Sequence, residues 1–207
     1  MPRLASVREP WKGVRAFWGS FVFMAPKQAS RNWLTFANVL TLSRLAAAPF
    51  LFNAIWGGSS GLALFFFVFG AVSDLVDGAV ARRRGEVSRL GGLLDHATDA
   101  TFVSAGLLAL ALRSEITVWL PIGVAAAFIQ YVLDSRVHEN RALRASRLGR
   151  WNGIAYFVFL GLVVVRDGMG FPGTGALAVA AGAWFLLALT LVSMLDRALA
   201  SARTRPS

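Results

Sequence analysis

Along the chain, hydrophobic positions form long runs separated by short charged clusters. The runs cover about residues 36–56, 60–81, 91–112, 117–135, 151–165 and 175–195. Each approaches the roughly 20 residues that carry a helix across a bilayer. The pattern predicts six transmembrane helices, the fifth short or extended at its basic end, and places both termini on one side. Ahead of the first run, Arg8, Lys12 and Arg15 alternate with Trp11, Val14, Phe17, Trp18 and Phe21. The 11, 14, 18, 21 spacing is helical and predicts an amphipathic helix on the membrane surface, although Gly13, Gly19 and Pro26 work against it. The first 30 residues hold no apolar core of signal-peptide length. The expected organisation is an amphipathic juxtamembrane segment, 1–32, and a membrane domain, 33–207.

Composition agrees with this pattern. Of 207 residues, 56% are hydrophobic and 15% charged, against about 25% charged in an ordinary soluble domain, and mean hydropathy is +0.58. The class is therefore an all-α integral membrane protein. A net charge of +10 would suggest a nucleic-acid partner if the basic residues formed a stripe. They do not. Eighteen of the 21 lie in blocks at 1–31, 82–89, 136–150 and 197–205, all flanking apolar runs on one predicted side. Only Arg113 and Arg166 fall on the other side, and Arg44 lies within a span. The positive-inside rule makes the basic side, with both termini, cytoplasmic. Trp33, Trp56, Trp119 and Trp151 stand at span ends as interfacial anchors, whereas Trp184 lies inside the last span. The absence of cysteine excludes thiol catalysis and Cys-ligated zinc.

Four acidic residues break the apolar runs. Asp74 and Asp77 end the second, and Asp95 and Asp99 open the third. A carboxylate at a helix centre costs about 2.5–3.5 kcal/mol on the insertion scale, so four demand partners or hydration. The i,i+3 and i,i+4 spacings put each pair on one face of its helix, and the short connection near 83–90 brings the faces together at the cytoplasmic surface. Mutual repulsion there is relieved by divalent cations, and an all-oxygen donor set selects a hard ion, Mg²⁺ or Mn²⁺, two of which would neutralise four carboxylates. His96, next to Asp95, is expected to point off the shared face as a structural or surface residue. Gly78, Ala81 and Gly91 leave room at the backbone and Arg82 adds a cation, the features of a pocket for a metal-bound diphosphate.

The stretch Asp74-Leu-Val-Asp77-Gly78-Ala-Val-Ala81-Arg82, then eight residues and Gly91-Gly-Leu-Leu-Asp95-His-Ala-Thr-Asp99, resembles the CDP-alcohol phosphatidyltransferase family. It matches all eight fixed positions of the family signature D-x2-D-G-x2-A-R-x8-G-x3-D-x3-D. A second similarity is Asn38-Val-Leu40-Thr41-Leu-Ser-Arg44 followed by Pro49. It looks like the opening of the first span in the phosphatidylglycerophosphate synthase and related branches, with Ala37 where that pattern has Pro.

The resemblance implies transfer of a phosphatidyl group from CDP-diacylglycerol to a small alcohol, with release of CMP. It implies Asp74, Asp77, Asp95 and Asp99 as ligands of the metals, with Asp95 and Asp99 catalytic and Asp99 the base toward the acceptor hydroxyl. It also implies CDP-lipid contacts from Asn38, Thr41, Gly78, Ala81, Arg82, Ser88 and Gly91. Arg147 and Arg150, where the fifth span begins, are expected to clamp an acceptor phosphate, unless they serve topology alone. Glycerol 3-phosphate is the first choice of acceptor, with inositol phosphate, serine or another alcohol as alternatives. Against the glycerophosphate branch, Ala100 follows Asp99 where that branch usually has Lys. A homodimer is expected from the family and from the Ala- and Gly-rich third to sixth spans. The rival class, a divalent-cation transporter, would need a polar path continuing beyond the carboxylates. Instead the spans run on through Phe65-Phe66-Phe67-Val68 and from Phe102 to Leu112.

Overall fold

The computed structural model describes residues 36–84, 89–137 and 147–203. Among them there are six helices and no strand: α1 (Phe36–Trp56), α2 (Ser60–Arg84), α3 (Arg89–Leu112), α4 (Trp119–Val137), α5 (Arg147–Gly168) and α6 (Ala176–Arg203). The expected surface helix in 1–32 lies outside the described residues. Stretches long and apolar enough to cross a membrane occur in four helices: Asn38–Trp56, Ser60–Val80, Leu148–Gly168 and Ala176–Ala200. In α4 the apolar part, Trp119–Asp134, is shorter, and α3 is made more polar by Asp95, His96 and Asp99 at its start. The bounds of α1 coincide with the expected run. The fifth run is extended at its basic end, as one of the two expectations had it, because helix begins at Arg147. The last helix continues eight residues past the expected run, to Arg203, since no Gly or Pro follows Leu195 to stop it before that point.

α1 packs against both α2 and α3. α3 also meets α4 and α5, α2 meets α5, and α6 closes on α4 and α5. The core between them holds Leu51, Phe102, Leu107, Leu110, Leu120 and Leu160, all fully buried. The outer surface is the inverse of a soluble protein's. Phe65, Leu75, Trp151, Leu177 and Phe185 are all exposed, which suits a lipid surround. Close helix approach relies on glycine at particular points: a Cβ on Gly161 would meet the Phe67 ring at 2.6 Å, and one on Gly106 would meet Leu160 at 2.6 Å.

Several polar groups inside this bundle are paired across helices. Tyr156 hydrogen-bonds the Thr190 hydroxyl at 2.6 Å, which in turn donates to the Leu186 carbonyl. Asn152 and Gln130 donate to the Leu189 and Met194 carbonyls of α6. At the end away from the carboxylate pairs, Arg113 and Arg166 both bind Glu115, at 3.0 and 2.8 Å, and Arg166 also binds Asp167. Arg113 further donates to the Ile55 carbonyl, tying α1 to the α3–α4 turn. The two basic residues expected on the far side thus carry matching acids, so uncompensated positive charge concentrates at the other end.

Candidate active site where three helices meet

The site forms because α1 brings a basic residue against two acidic helix ends. Thr41 and Arg44, one turn apart on α1, are 4% and 0% exposed. Arg44 extends its guanidinium to Asp74 and Asp77 on α2 and to Asp95 and Asp99 on α3. Its Nη2 pairs with Asp77 at 2.5 Å; its Nη1 meets Asp74 at 3.0 Å, Asp95 at 3.5 Å, and Asp99 most closely of all. Thr41 donates its hydroxyl to the same Asp77 oxygen at 3.1 Å. Asp77 is buried, while Asp74, Asp95 and Asp99 are partly open. The cage therefore has a closed floor at Asp77 and an accessible rim.

The donor set fits a hard divalent cation on three counts. One carboxylate oxygen from each of Asp74, Asp77 and Asp95 lies within 4.8 Å of the others, close enough to share an ion, and Asp95, His96 and Asp99 form a second such group. Asp95 Oδ1 is buried without a hydrogen-bond partner among the described residues and faces only the Arg44 Nη1 at 3.5 Å, which leaves it capacity to ligate an ion. Apart from His96 at the rim, every donor is oxygen. The guanidinium answers only one of four formal negative charges.

The expected site residues fall into three groups. The four aspartates converge, with Thr41 beside them; Asn38 is half-buried one turn earlier on α1, and Gly78 and Gly91 stand half-buried at the helix ends bearing the acids. Ala81 and Arg82 belong to the last turn of α2, and Arg147 and Arg150 to the first turn of α5, where Arg150 is exposed. Ser88 lies outside the described residues. His96 is exposed at the surface as expected, yet it does not point clear of the shared face: a ring nitrogen comes within 4.8 Å of Asp95 and Asp99 oxygens. A long planar side chain at the helix rim reaches round a 100° offset that a short one would not.

Two features escaped the sequence reading. Arg44, placed within a span and in the first-span motif but given no part in the site, is the counter-charge of all four acids. The second is an aromatic and basic link beside Asp95: His96 stands edge-on to Tyr131 of α4 at 5.7 Å, and Arg197 of α6 lies over the same ring at 5.5 Å. It ties α3, α4 and α6 together at the site's end of the bundle. No sequence spacing joins these three residues.

Comparison with known proteins bears on this geometry. The profile of the CDP-alcohol phosphatidyltransferase family matches residues 34–195. A protein of Cereibacter sphaeroides named CDP-diacylglycerol–glycerol-3-phosphate 3-phosphatidyltransferase is 30% identical over 149 residues, covering 67% of this chain and 66% of its own. A cardiolipin synthase (CMP-forming) of Streptomyces coelicolor is 37% identical over 99 residues, 45% of this chain and 46% of its own. The chain thus spans between about half and two thirds of these relatives' lengths. Among solved structures, the apo phosphatidylinositol phosphate synthase of Mycobacterium tuberculosis shares the fold, with a TM-score of 0.56 and 23% identity over 83% of this chain and 90% of that one. The same enzyme has been solved with CDP-DAG bound, and that structure superposes with a TM-score of 0.53 at 22% identity over 84% and 89% of the two chains.

Proposed function

The chain belongs to the CDP-alcohol phosphatidyltransferase family, and from that membership we propose that it moves a phosphatidyl group from CDP-diacylglycerol to the hydroxyl of a small acceptor, releasing CMP. The observation that carries this reading is the convergence of Asp74, Asp77, Asp95 and Asp99, all among the eight fixed positions of the family signature, on one partly open cage. Asp74, Asp77, Asp95 and Asp99 would hold two Mg²⁺ or Mn²⁺ ions. Bound there, such ions would supply charge neutralisation for the diphosphate and for the leaving phosphate oxygen.

The chain's own residues do the rest. Small residues at Gly78, Ala81 and Gly91 admit the diphosphate close to the α2 and α3 backbones, with Arg82, Ser88 and Asn38 toward the CDP end. Thr41 is spoken for by Asp77, so its part is to orient that carboxylate rather than to donate to the nucleotide. Asp99, half-open at the rim, accepts the proton of the acceptor hydroxyl. The acceptor oxygen bonds to the phosphatidyl phosphorus as the bond from that phosphorus to the bridging oxygen breaks, and CMP departs with the electron pair.

The membrane arrangement proposed with this chemistry has six spans. α3, at 24 residues, and α4, at 19 residues, are long enough to cross at 1.5 Å per residue despite their lower apolar content. The site and both termini face the cytoplasm, where the basic blocks gather, and two copies pair as a homodimer.

For the acceptor, glycerol 3-phosphate is the first choice, supported by the name of the Cereibacter sphaeroides relative and by Arg147 and Arg150 at the start of α5. The Streptomyces coelicolor relative's name gives a specific reason to include a lipid alcohol. The test is to incubate purified protein with CDP-diacylglycerol and Mg²⁺ and follow CMP with glycerol 3-phosphate, inositol phosphate, serine or phosphatidylglycerol supplied singly. CMP release with none of them defeats the transferase reading.

A further inference from the structure

The contacts of Arg44 go beyond what a structural salt bridge requires. It is fully buried, yet its Nη1 is shared among Asp74, Asp95 and Asp99 while Nη2 takes Asp77. Its Nε is buried with no hydrogen-bond partner among the described residues, so the guanidinium is aimed by the carboxylates and not by its own helix. The same four side chains, with His96, make up the two overlapping groups of three that could hold a divalent ion. A buried cation in contact with metal-ligand oxygens has two opposed effects. It holds like charges together before an ion arrives, and it repels the ion.

Resting on the metal reading above, we propose that Arg44 is the resident counter-cation of the aspartate cage, interchangeable with divalent metal as the charge partner of the four carboxylates. The fold then needs no metal to keep α1, α2 and α3 assembled at the membrane surface. Metal affinity is set below what the four aspartates alone would give. The guanidinium loosens its hold on Asp74, Asp95 and Asp99 when ions load, staying on Asp77 and Thr41 at the closed floor.

The test uses the full chain in nanodiscs, without lipid substrate, and reads Mn²⁺ binding by electron paramagnetic resonance and thermal unfolding in excess EDTA. Wild type should unfold at nearly the same temperature with EDTA as with Mn²⁺. Arg44→Gln should bind Mn²⁺ at least about fivefold tighter and unfold earlier in EDTA, with Mn²⁺ restoring the loss. Equal or weaker Mn²⁺ binding by Arg44→Gln, with wild type binding normally, overturns the inference alone. Binding by neither protein overturns the metal reading and the inference with it. If Arg44→Gln cannot be recovered folded, Asp95→Asn decides. It removes the carboxylate farthest from the guanidinium, so it should raise the unfolding temperature in EDTA while weakening Mn²⁺ binding. A lower unfolding temperature in EDTA overturns the proposal.

Discussion

Gly70 of α2 lies directly against the ring of Phe102 of α3, so close that any side chain at 70 would intrude on the ring. Gly70 is one turn from Asp74 and Phe102 is one turn from Asp99, on antiparallel helices, so this contact sets how far apart the two acidic pairs stand. Phe102 is fully buried and has nowhere to rotate. Gly70→Ala should therefore spread the carboxylates, lowering CMP release at least about tenfold and weakening Mn²⁺ binding, since displacement of a reacting group by about 1 Å can cost 100-fold. Adding Phe102→Leu should recover part of both. Wild-type kinetics in Gly70→Ala would show that the spacing of the pairs is not set here.

Activity should require a divalent cation and disappear in Asp95→Asn, which removes ligand charge with almost no change in volume. The buried Asp95 Oδ1 has no hydrogen-bond partner among the described residues, and Arg44 stands off at 3.5 Å, the longest of its four ion pairs, so this carboxylate is the one least engaged by the guanidinium. Full activity in excess chelator would remove the metals from the mechanism, and a functional Asp95→Asn would remove this residue from the ligand set.

Tyr156 tests the opposite kind of residue, a buried polar group that is expected to be structural. Its hydroxyl meets Thr190, whose own proton goes to the Leu186 carbonyl, and its other neighbour, Asn152, keeps the Leu189 carbonyl as an acceptor. Tyr156→Phe should cost about 0.6–1 kcal/mol in unfolding equilibria, the scale of interhelical hydrogen bonds in membranes, and leave CMP release within about twofold. A loss of activity beyond tenfold with intact stability would place Tyr156 in the chemistry.

How much of this was legible in the sequence depended on range. The bounds of α1 and the positions of the four aspartates follow from local pattern, because helical spacing alone puts Asp74 with Asp77 and Asp95 with Asp99, and a short connection forces the pairs together. Arg44 is a different case. Its role requires α1 to pack against both acidic helices at one level, a tertiary fact that no spacing within α1 encodes. The same holds for Arg197 over Tyr131, where α4 and α6 meet, and for Gly70 against Phe102. In the sequence, these are an unremarkable basic residue near the end of a span and two residues among many Gly and Phe. The reach of His96 was misjudged because helical offset locates Cβ, not the end of a long ring.

The acceptor end gives the last prediction. Arg147 and Arg150 lie in the first turn of α5, at the end of the bundle that carries the aspartates, and Arg150 is exposed. If they grip the acceptor's phosphate, Arg147→Ala and Arg150→Ala should each raise the acceptor KM by the equivalent of about 1.5–3 kcal/mol, the value of a charge-assisted hydrogen bond. The constant for CDP-diacylglycerol should hardly move. If they serve only topology, both constants should stay within about twofold, because removing one of eighteen basic residues leaves the inside bias intact. Arg144→Ala separates the cases: it belongs to the same basic block but precedes α5, so it should leave the acceptor KM unchanged. Equal effects from all three substitutions, or preferred use of serine over phosphorylated acceptors, would defeat the clamp while leaving the aspartate cage and the transfer reaction untouched.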